Sequence, residues 1–133
     1  MRGRLLCLAA AFAFAAITAR ADPVPRPFAA VVIAAGLKLR TDRAAHPDHP
    51  TPDFAAADAR RAQILQSVRT ALSATDAETA ARLTDEARYA GWQVVGFWLA
   101  HGESFAEIAR VKEADAPARV AEAIDLMLKE PRP

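Results

Sequence analysis

The sequence contains one cysteine in 133 residues, Cys7, which lies in an apolar segment at the N-terminus. Cys7 stands at the start of that segment and not at its end, which excludes the lipoprotein pattern. If the segment is removed, the remaining chain can form no disulfide. Its stability then depends on a hydrophobic core, and about 110 residues suffice for one core but hardly for two. We therefore expect a single domain.

A surplus of charge of one sign is also missing. The chain has 17 basic and 16 acidic residues, and removing Arg2, Arg4 and Arg20 with the N-terminal segment leaves 14 basic residues and a net charge of about −2. Such a surface offers no electrostatic steering toward a polyanion. Nucleic acid is therefore not an expected partner.

The longest apolar run extends from Leu5 to Ile17, follows two arginines and ends on Ala19-Arg20-Ala21. A basic start, about 7–15 apolar residues and an A-x-A exit form the pattern of a secretory signal peptide. The alternative, a retained membrane anchor, needs about 20 apolar residues. We expect residues 1–21 to be cleaved and the remainder to be periplasmic or secreted, with no membrane span.

The predicted mature chain begins with a proline-rich leader, residues 22–27. Half of these residues are proline, which holds itself and the preceding residue in extended conformations. The next segment, residues 28–40, is ambiguous. Its β-branched residues and the alternation at 37–40 suit a strand. A helix is favoured, because one helical stripe is apolar: Phe28, Val31, Val32, Ala35 and Leu39.

Four further helices are predicted, each delimited by a cap, a glycine or a proline. They begin near Thr51 or Asp53, at a capping box from Thr75 to Glu78, at a second capping box from Ser104 to Glu107, and near Asp115 to Pro117. Residues 41–52 are predicted to be a loop. The fold class is all-α, and residues 28–133 form a compact bundle of four to five short helices.

The helix predicted after Thr75 becomes apolar on nearly every side from Tyr89 to Ala100. A helix of this kind is covered by neighbours, and the apolar stretch is too short to cross a bilayer. We expect it at the centre of the bundle, with Trp98 against the final helix. Gly91 and Gly96 are expected to let other backbones approach closely.

The predicted loop contains His46-Pro47-Asp48-His49-Pro50. His46, Asp48 and His49 offer a borderline metal two or three ligands. A complete site needs about three or four ligands, however, and no further histidine or cysteine is near in the sequence. A loop rich in histidine, aspartate and proline is also typical of a solvated connector. The connector is favoured, and metal binding is retained as an alternative.

Two charged residues, Asp58 and Arg61, fall on or beside the apolar stripe of the helix that begins near Asp53. Burial of a charged pair is costly. The simpler interpretation is that the stem of Arg61 lies over apolar surface while its charge reaches water. The alternative is an edge that binds an anion or a partner, with Arg60 beside it.

A third candidate pair is Trp98 and His101, at the end of the apolar stretch. His101 precedes Gly102, the predicted C′ glycine, and a histidine at that position interacts favourably with the helix dipole. The functional alternatives are a general base or a pocket for a small apolar ligand lined by the neighbouring aromatic residues.

Residues 99–109, Leu-Ala-His-Gly-Glu-Ser-Phe-Ala-Glu-Ile-Ala, resemble the G-x-S-x-x-E-I-A stretch of LuxR-type helix-turn-helix domains. The resemblance implies a helix that precedes a DNA-reading helix. In that family an apolar residue, a turn and a hydroxylated cap follow, and residues 112–117, Lys-Glu-Ala-Asp-Ala-Pro, depart from this pattern. A glycine stop and a serine cap also occur in helices generally. We therefore expect no nucleic-acid partner.

The residues show no paired general acid and base, no activated nucleophile and no cofactor-binding loop, and no cofactor is expected. We expect a non-catalytic binding or accessory protein that contacts a protein partner or a small ligand. Two alternatives remain open. One is a periplasmic metal-handling protein that uses His46 and His49, and the other is an enzyme whose residues converge only in three dimensions.

The mature N-terminus is predicted to be Asp22, because the apolar run ends on the A-x-A exit at residues 19–21. An intact-mass measurement of the protein from the periplasmic or secreted fraction should therefore give a chain that lacks residues 1–21. A species that keeps these residues in the membrane fraction would refute both the cleavage and the location.

Overall fold

A computed structural model of the chain describes residues 26–50, 52–73 and 77–130. The predicted signal peptide, residues 22–25 of the leader, Thr51, Thr75 and Pro131 lie outside the described residues. Within the described ranges all regular elements are helical, which confirms the all-α class. They are α1 (Phe28–Ala45), α2 (Ala55–Asp58), α3 (Arg61–Ala71), α4 (Ala77–Arg82), α5 (Thr84–Ala100), α6 (Phe105–Ala109) and α7 (Ala116–Lys129).

These seven helices exceed the predicted four to five because two predicted helices are each divided. The helix expected from residue 53 to 73 is interrupted at Ala59 and Arg60, and the next one is interrupted at Leu83. Arg60 and Leu83 have ψ angles of 20° and 22°, outside the helical range. Neither break contains the glycine or proline that would mark it in the sequence.

The ambiguous segment from residue 28 to 40 is helical, and α1 continues to Ala45 through five residues of the predicted loop. Its buried face is rotated from the predicted stripe, since Val31, Ala35 and Leu39 are only partly buried. The fully buried positions include three of the smallest residues, which allow a close neighbour: Phe28, Ala29, Ala30, Val32, Ile33 and Gly36.

Helices α1 and α5 touch backbone to backbone where Gly36 meets Gly91. A Cβ atom on Gly36 would overlap the Gly91 carbonyl and lie 2.7 Å from Val95 Cγ2, and a Cβ on Gly91 would lie 2.7 Å from Gly36 N. The close approach predicted for Gly91 is confirmed. The same prediction for Gly96 is wrong, because the group packed there is the side chain of Arg40 and not a backbone.

Helix α5 is the central element of the bundle and contacts α1, α3, α4, α6 and α7. Trp98 is 5% exposed and belongs to the same core as Ile124 and Met127 of α7, so the predicted burial of Trp98 is confirmed. The apolar stretch is not covered on every side, however. Trp92, Phe97 and Leu99 remain partly exposed.

Ion pairs connect α3 to α7 and the leader to the segment that precedes α7. Arg69 of α3 donates from Nε and Nη2 to the two carboxylate oxygens of Asp125 of α7, at 3.0 and 3.3 Å. This hydrogen bonding holds the pKa of Asp125 below its ordinary value. Arg26, at the end of the leader, donates to Glu113 at 2.8 Å. The Arg26–Glu113 pair is exposed and the Arg69–Asp125 pair is half-buried, and pairs this accessible to water contribute little to stability.

None of the helices within the described ranges has the length and apolarity that crossing a bilayer requires.

Gly36→Ala is expected to destabilise the protein by about 1–3 kcal/mol or more, although alanine is the better helix former. The added methyl group would overlap backbone atoms of α5, and α5 cannot move away without separating the two helices. The urea midpoint at unchanged m value measures this loss. Gly96→Ala is the matched control, because there the obstacle is the flexible end of Arg40. Equal midpoints for the two variants would contradict the interpretation.

Candidate functional site

The loop that follows α1 folds back onto the end of that helix. His46 N donates to Asp42 O and His49 N donates to His46 O, each at 3.0 Å. Arg43 Nη1 donates to the carbonyl oxygens of Pro47 and His49, at 3.0 and 3.3 Å. Arg43 therefore holds the loop against the last turn of α1. The acceptors are backbone carbonyl oxygens, so this contact does not depend on the side chains of the loop.

The two loop imidazoles stack on each other. The ring centroids of His46 and His49 are 4.8 Å apart, and the ring planes are inclined by 12°. The lone pairs lie in the ring planes, so nearly parallel rings do not point them at one ion about 2.0–2.1 Å away. In the described part of the chain, no three His, Cys, Asp or Glu side chains are grouped to hold a metal ion. A site at His46, Asp48 and His49 therefore requires another loop conformation.

The loop, the end of α1 and the first half of α5 surround a groove of about 550 Å³, which we term the loop groove. Its polar lining comprises two guanidinium groups, two imidazoles and one carboxylate: Arg43, Arg88, His46, His49 and Asp42. Asp42 is already ion-paired with Lys38 at 3.0 Å. Arg88 is exposed and makes no ion pair with any residue that the structure describes.

Arg88 also lines a second groove, of about 420 Å³, which we term the Phe54 groove. The apolar side chains of this groove are Phe54, Ala56, Ala57, Ile64 and Tyr89, and its charged ones are Asp53, Arg60, Asp85 and Arg88. The Phe54 ring meets Tyr89 edge to face, with centroids 5.4 Å apart. An aromatic contact of this geometry fixes the ring that lines the groove.

Asp58 and Arg61 lie beside the Phe54 groove and do not line it. The hydroxyl of buried Tyr89 donates to Asp58 Oδ1 at 2.7 Å, which ties α2 to α5. Arg61 is half-buried, and its Nε donates to Gln93 Oε1 at 3.4 Å. Arg61 thus extends over α5 toward a neutral amide.

His101 closes the C-terminal end of α5. Its Nδ1 lies 2.7 Å from Phe97 O, and its ring lies over the Phe97 ring with centroids 4.1 Å apart. Gly102 has a φ of 94°, and Glu103 N donates to Trp98 O at 3.0 Å. These contacts form the C-terminal motif that a glycine at C′ makes possible. His101 therefore has a structural role at the helix end.

The three predicted candidate sets are not brought into one site. His46 and His49 line the loop groove, whereas Trp98 and His101 line a separate groove of about 300 Å³ beside α7. In that groove the Arg119 guanidinium lies 5.0 Å from the centroid of the Trp98 ring and donates to Glu103 at 2.6 Å. An ion-paired cation thus lies over the Trp98 ring, and the ring itself is buried.

Two arginines, Arg40 and Arg88, were not among the predicted site residues. Arg40 donates from Nε and Nη2 to Trp92 O, at 3.1 and 2.8 Å, and its guanidinium lies 3.7 Å from the centroid of the Trp92 ring. Burial lowers the pKa of Arg40. The sequence contained one signal for this position: Arg40 lies four residues after Gly36 and therefore on the same face of the helix. Arg88 had no comparable signal, because its neighbours in the groove come from distant segments.

Comparisons with known proteins find nothing similar: no family model, no curated protein and no solved structure matches the chain. The resemblance of residues 99–109 to helix-turn-helix domains therefore has no family match behind it. The residues that line the grooves are therefore the basis for a functional proposal.

Titration of the protein with Zn²⁺ or Cu²⁺ is expected to give micromolar or weaker dissociation constants, because the stacked imidazoles do not converge. His46→Ala should then change the affinity little. Isothermal titration calorimetry checks this, with His101→Ala as the control. Nanomolar affinity that is lost in His46→Ala and kept in His101→Ala would show that the loop rearranges into a metal site.

Proposed function

We propose that this protein is an exported, non-catalytic binding protein that holds an anionic group of its ligand or partner in the loop groove. Export is inferred from the basic start, apolar run and A-x-A exit of residues 1–21. The binding role is inferred from one observation. The described residues that line the loop groove include two arginines, two histidines and one carboxylate, and that carboxylate is ion-paired with Lys38.

The two arginines suit recognition of a carboxylate or phosphate. A guanidinium carries five N–H donors in a planar fork that matches either anion. The loop carbonyls engage only Nη1 of Arg43, which leaves Nε and Nη2 for a ligand. Arg88 makes no ion pair with a described residue, so none of its donors is engaged by a carboxylate in the part of the chain that the structure describes. Hydrogen bonds of this type are charge-assisted and are stronger than neutral ones.

Side chains that line the groove are held in place by contacts within the protein. Arg43 is fixed by two carbonyls, and the imidazoles are fixed against each other. Side chains that are already ordered lose less conformational entropy on binding. This order favours a binding role.

The lining of the groove supports recognition over catalysis. Among the described residues, its remaining lining side chains are Leu39, Pro50 and Pro52, and none of the described lining residues is a serine, threonine or cysteine. Asp42, its one carboxylate, is engaged by Lys38. A hydrolase or transferase needs a nucleophile and a base in mutual contact. These groups are suited to hold an anion in place.

Inorganic phosphate is expected to perturb the Arg43, Arg88, His46 and His49 side-chain resonances in an NMR titration of the isotope-labelled protein at constant ionic strength. Arg88→Gln should weaken phosphate binding about tenfold, which is the loss expected for one charge-assisted interaction. The matched control is Arg110→Gln, which removes an exposed arginine from the groove between α6 and α7. Equal weakening in both variants would indicate nonspecific charge attraction, and an absence of perturbation would refute the proposal.

A further inference from the structure

We infer that the ligand is an amphiphilic anion: a carboxylate attached to an apolar group, with the carboxylate in the loop groove and the apolar group in the Phe54 groove. This inference rests on the proposed function of the loop groove and specifies the class of ligand. It is carried by the position of Arg88, by the different linings of the two grooves and by their sizes.

Arg88 is common to the two grooves. It extends from the first half of α5, between the loop that carries His49 and the segment that carries Phe54. Its guanidinium is therefore within reach of a ligand that enters either groove. A molecule that contacts Arg88 with a carboxylate can place the rest of its body in the neighbouring groove without leaving the surface of α5.

Charge decides which end of the ligand lies in which groove. The arginines of the Phe54 groove, Arg60 and Arg88, are balanced there by Asp53 and Asp85. An anion gains little from a neutral set of charges and is repelled by the two carboxylates. Among the described residues that line the loop groove, Asp42 is the one carboxylate and is engaged by Lys38, so the cations are in excess. The carboxylate of the ligand therefore belongs in the loop groove.

The Phe54 groove supplies the apolar contact. Phe54 and Ala57 are half-buried, and Ala56 is exposed, so apolar surface remains open to water in this groove. Removal of that surface from water is favourable in proportion to its area. Volumes of about 420 and 550 Å³ fall within the range of about 300–1,000 Å³ that is usual for small-molecule sites. An aromatic ring with a short aliphatic chain fits this description.

The test is a series of probes measured against the same labelled protein: acetate, phenylacetate, 4-phenylbutyrate and the neutral 4-phenylbutyramide. Affinity should rise at least about tenfold from acetate to 4-phenylbutyrate, because only the longer ligand also reaches the Phe54 groove. The amide should bind much more weakly than the acid of the same shape. Resonances of Phe54 and Ala57 should respond to 4-phenylbutyrate and not to acetate.

Variants separate the two grooves. Phe54→Ala should abolish the gain from acetate to 4-phenylbutyrate and leave acetate binding unchanged. Ala56→Leu fills the Phe54 groove from an exposed position and should have the same effect, which keeps the test usable if Phe54→Ala does not fold. Phe105→Ala is the matched control, because Phe105 is 37% exposed and lies outside both grooves. It should leave every affinity unchanged.

The outcomes distinguish this inference from the proposed function. If acetate and 4-phenylbutyrate bind equally well and depend on Arg88, the loop groove binds anions and the inference about an amphiphilic ligand is overturned. If the neutral amide binds as well as the acid, the carboxylate has no role and the inference is overturned, whereas the proposed function stands if phosphate binding still depends on Arg88. If none of the carboxylates binds while phosphate does, the inference is overturned and the proposed function stands. If phosphate also fails to bind, both fail.

Discussion

The backbone contact between Gly36 and Gly91 is the constraint on which the rest of the bundle depends. At this point α1 and α5 approach so closely that neither residue has room for a Cβ atom. Interior packing tolerates little deformation, so this contact fixes the separation and the rotation of the two longest helices. The burial of Val32 on one side and of Val94 and Val95 on the other follows from it.

The same contact positions the charged groups at one end of the bundle. Beyond Gly36, α1 continues to Arg40, whose guanidinium lies over Trp92 and beside Gly96. The positive charge of half-buried Arg40 is stabilised by the carbonyl oxygen and the ring of Trp92. No carboxylate of a described residue forms an ion pair with Arg40. One turn further on, Arg43 fixes the loop that carries His46 and His49. The loop groove is thus an extension of the α1–α5 packing.

The proposed ligand site combines two unlike surfaces that come from opposite sides of one loop. Upstream of residue 50, the chain contributes Arg43 and the stacked imidazoles, and downstream of it the chain contributes Phe54 and α2. Arg88 lies between them on the rigid central helix. A site that draws its groups from a short connector and a packed helix needs few residues, which suits a small domain with one core.

The sequence by itself determined the features that depend on neighbouring residues. The helical class, the Gly102 stop and the Ser104 cap arise from contacts three to five residues apart. The Ser104 hydroxyl, for example, accepts from Glu107 N at 3.2 Å. Burial of Trp98 followed from the density of apolar residues around it. Only the tertiary structure decided where two predicted helices break, which glycine faces Gly91, and that Arg88 lies between the histidine loop and Phe54. The physical reason is that the glycine contact and the position of Arg88 depend on distances between residues more than thirty positions apart, which local periodicity does not encode, and that neither helix break contains the glycine or proline that would mark it in the sequence.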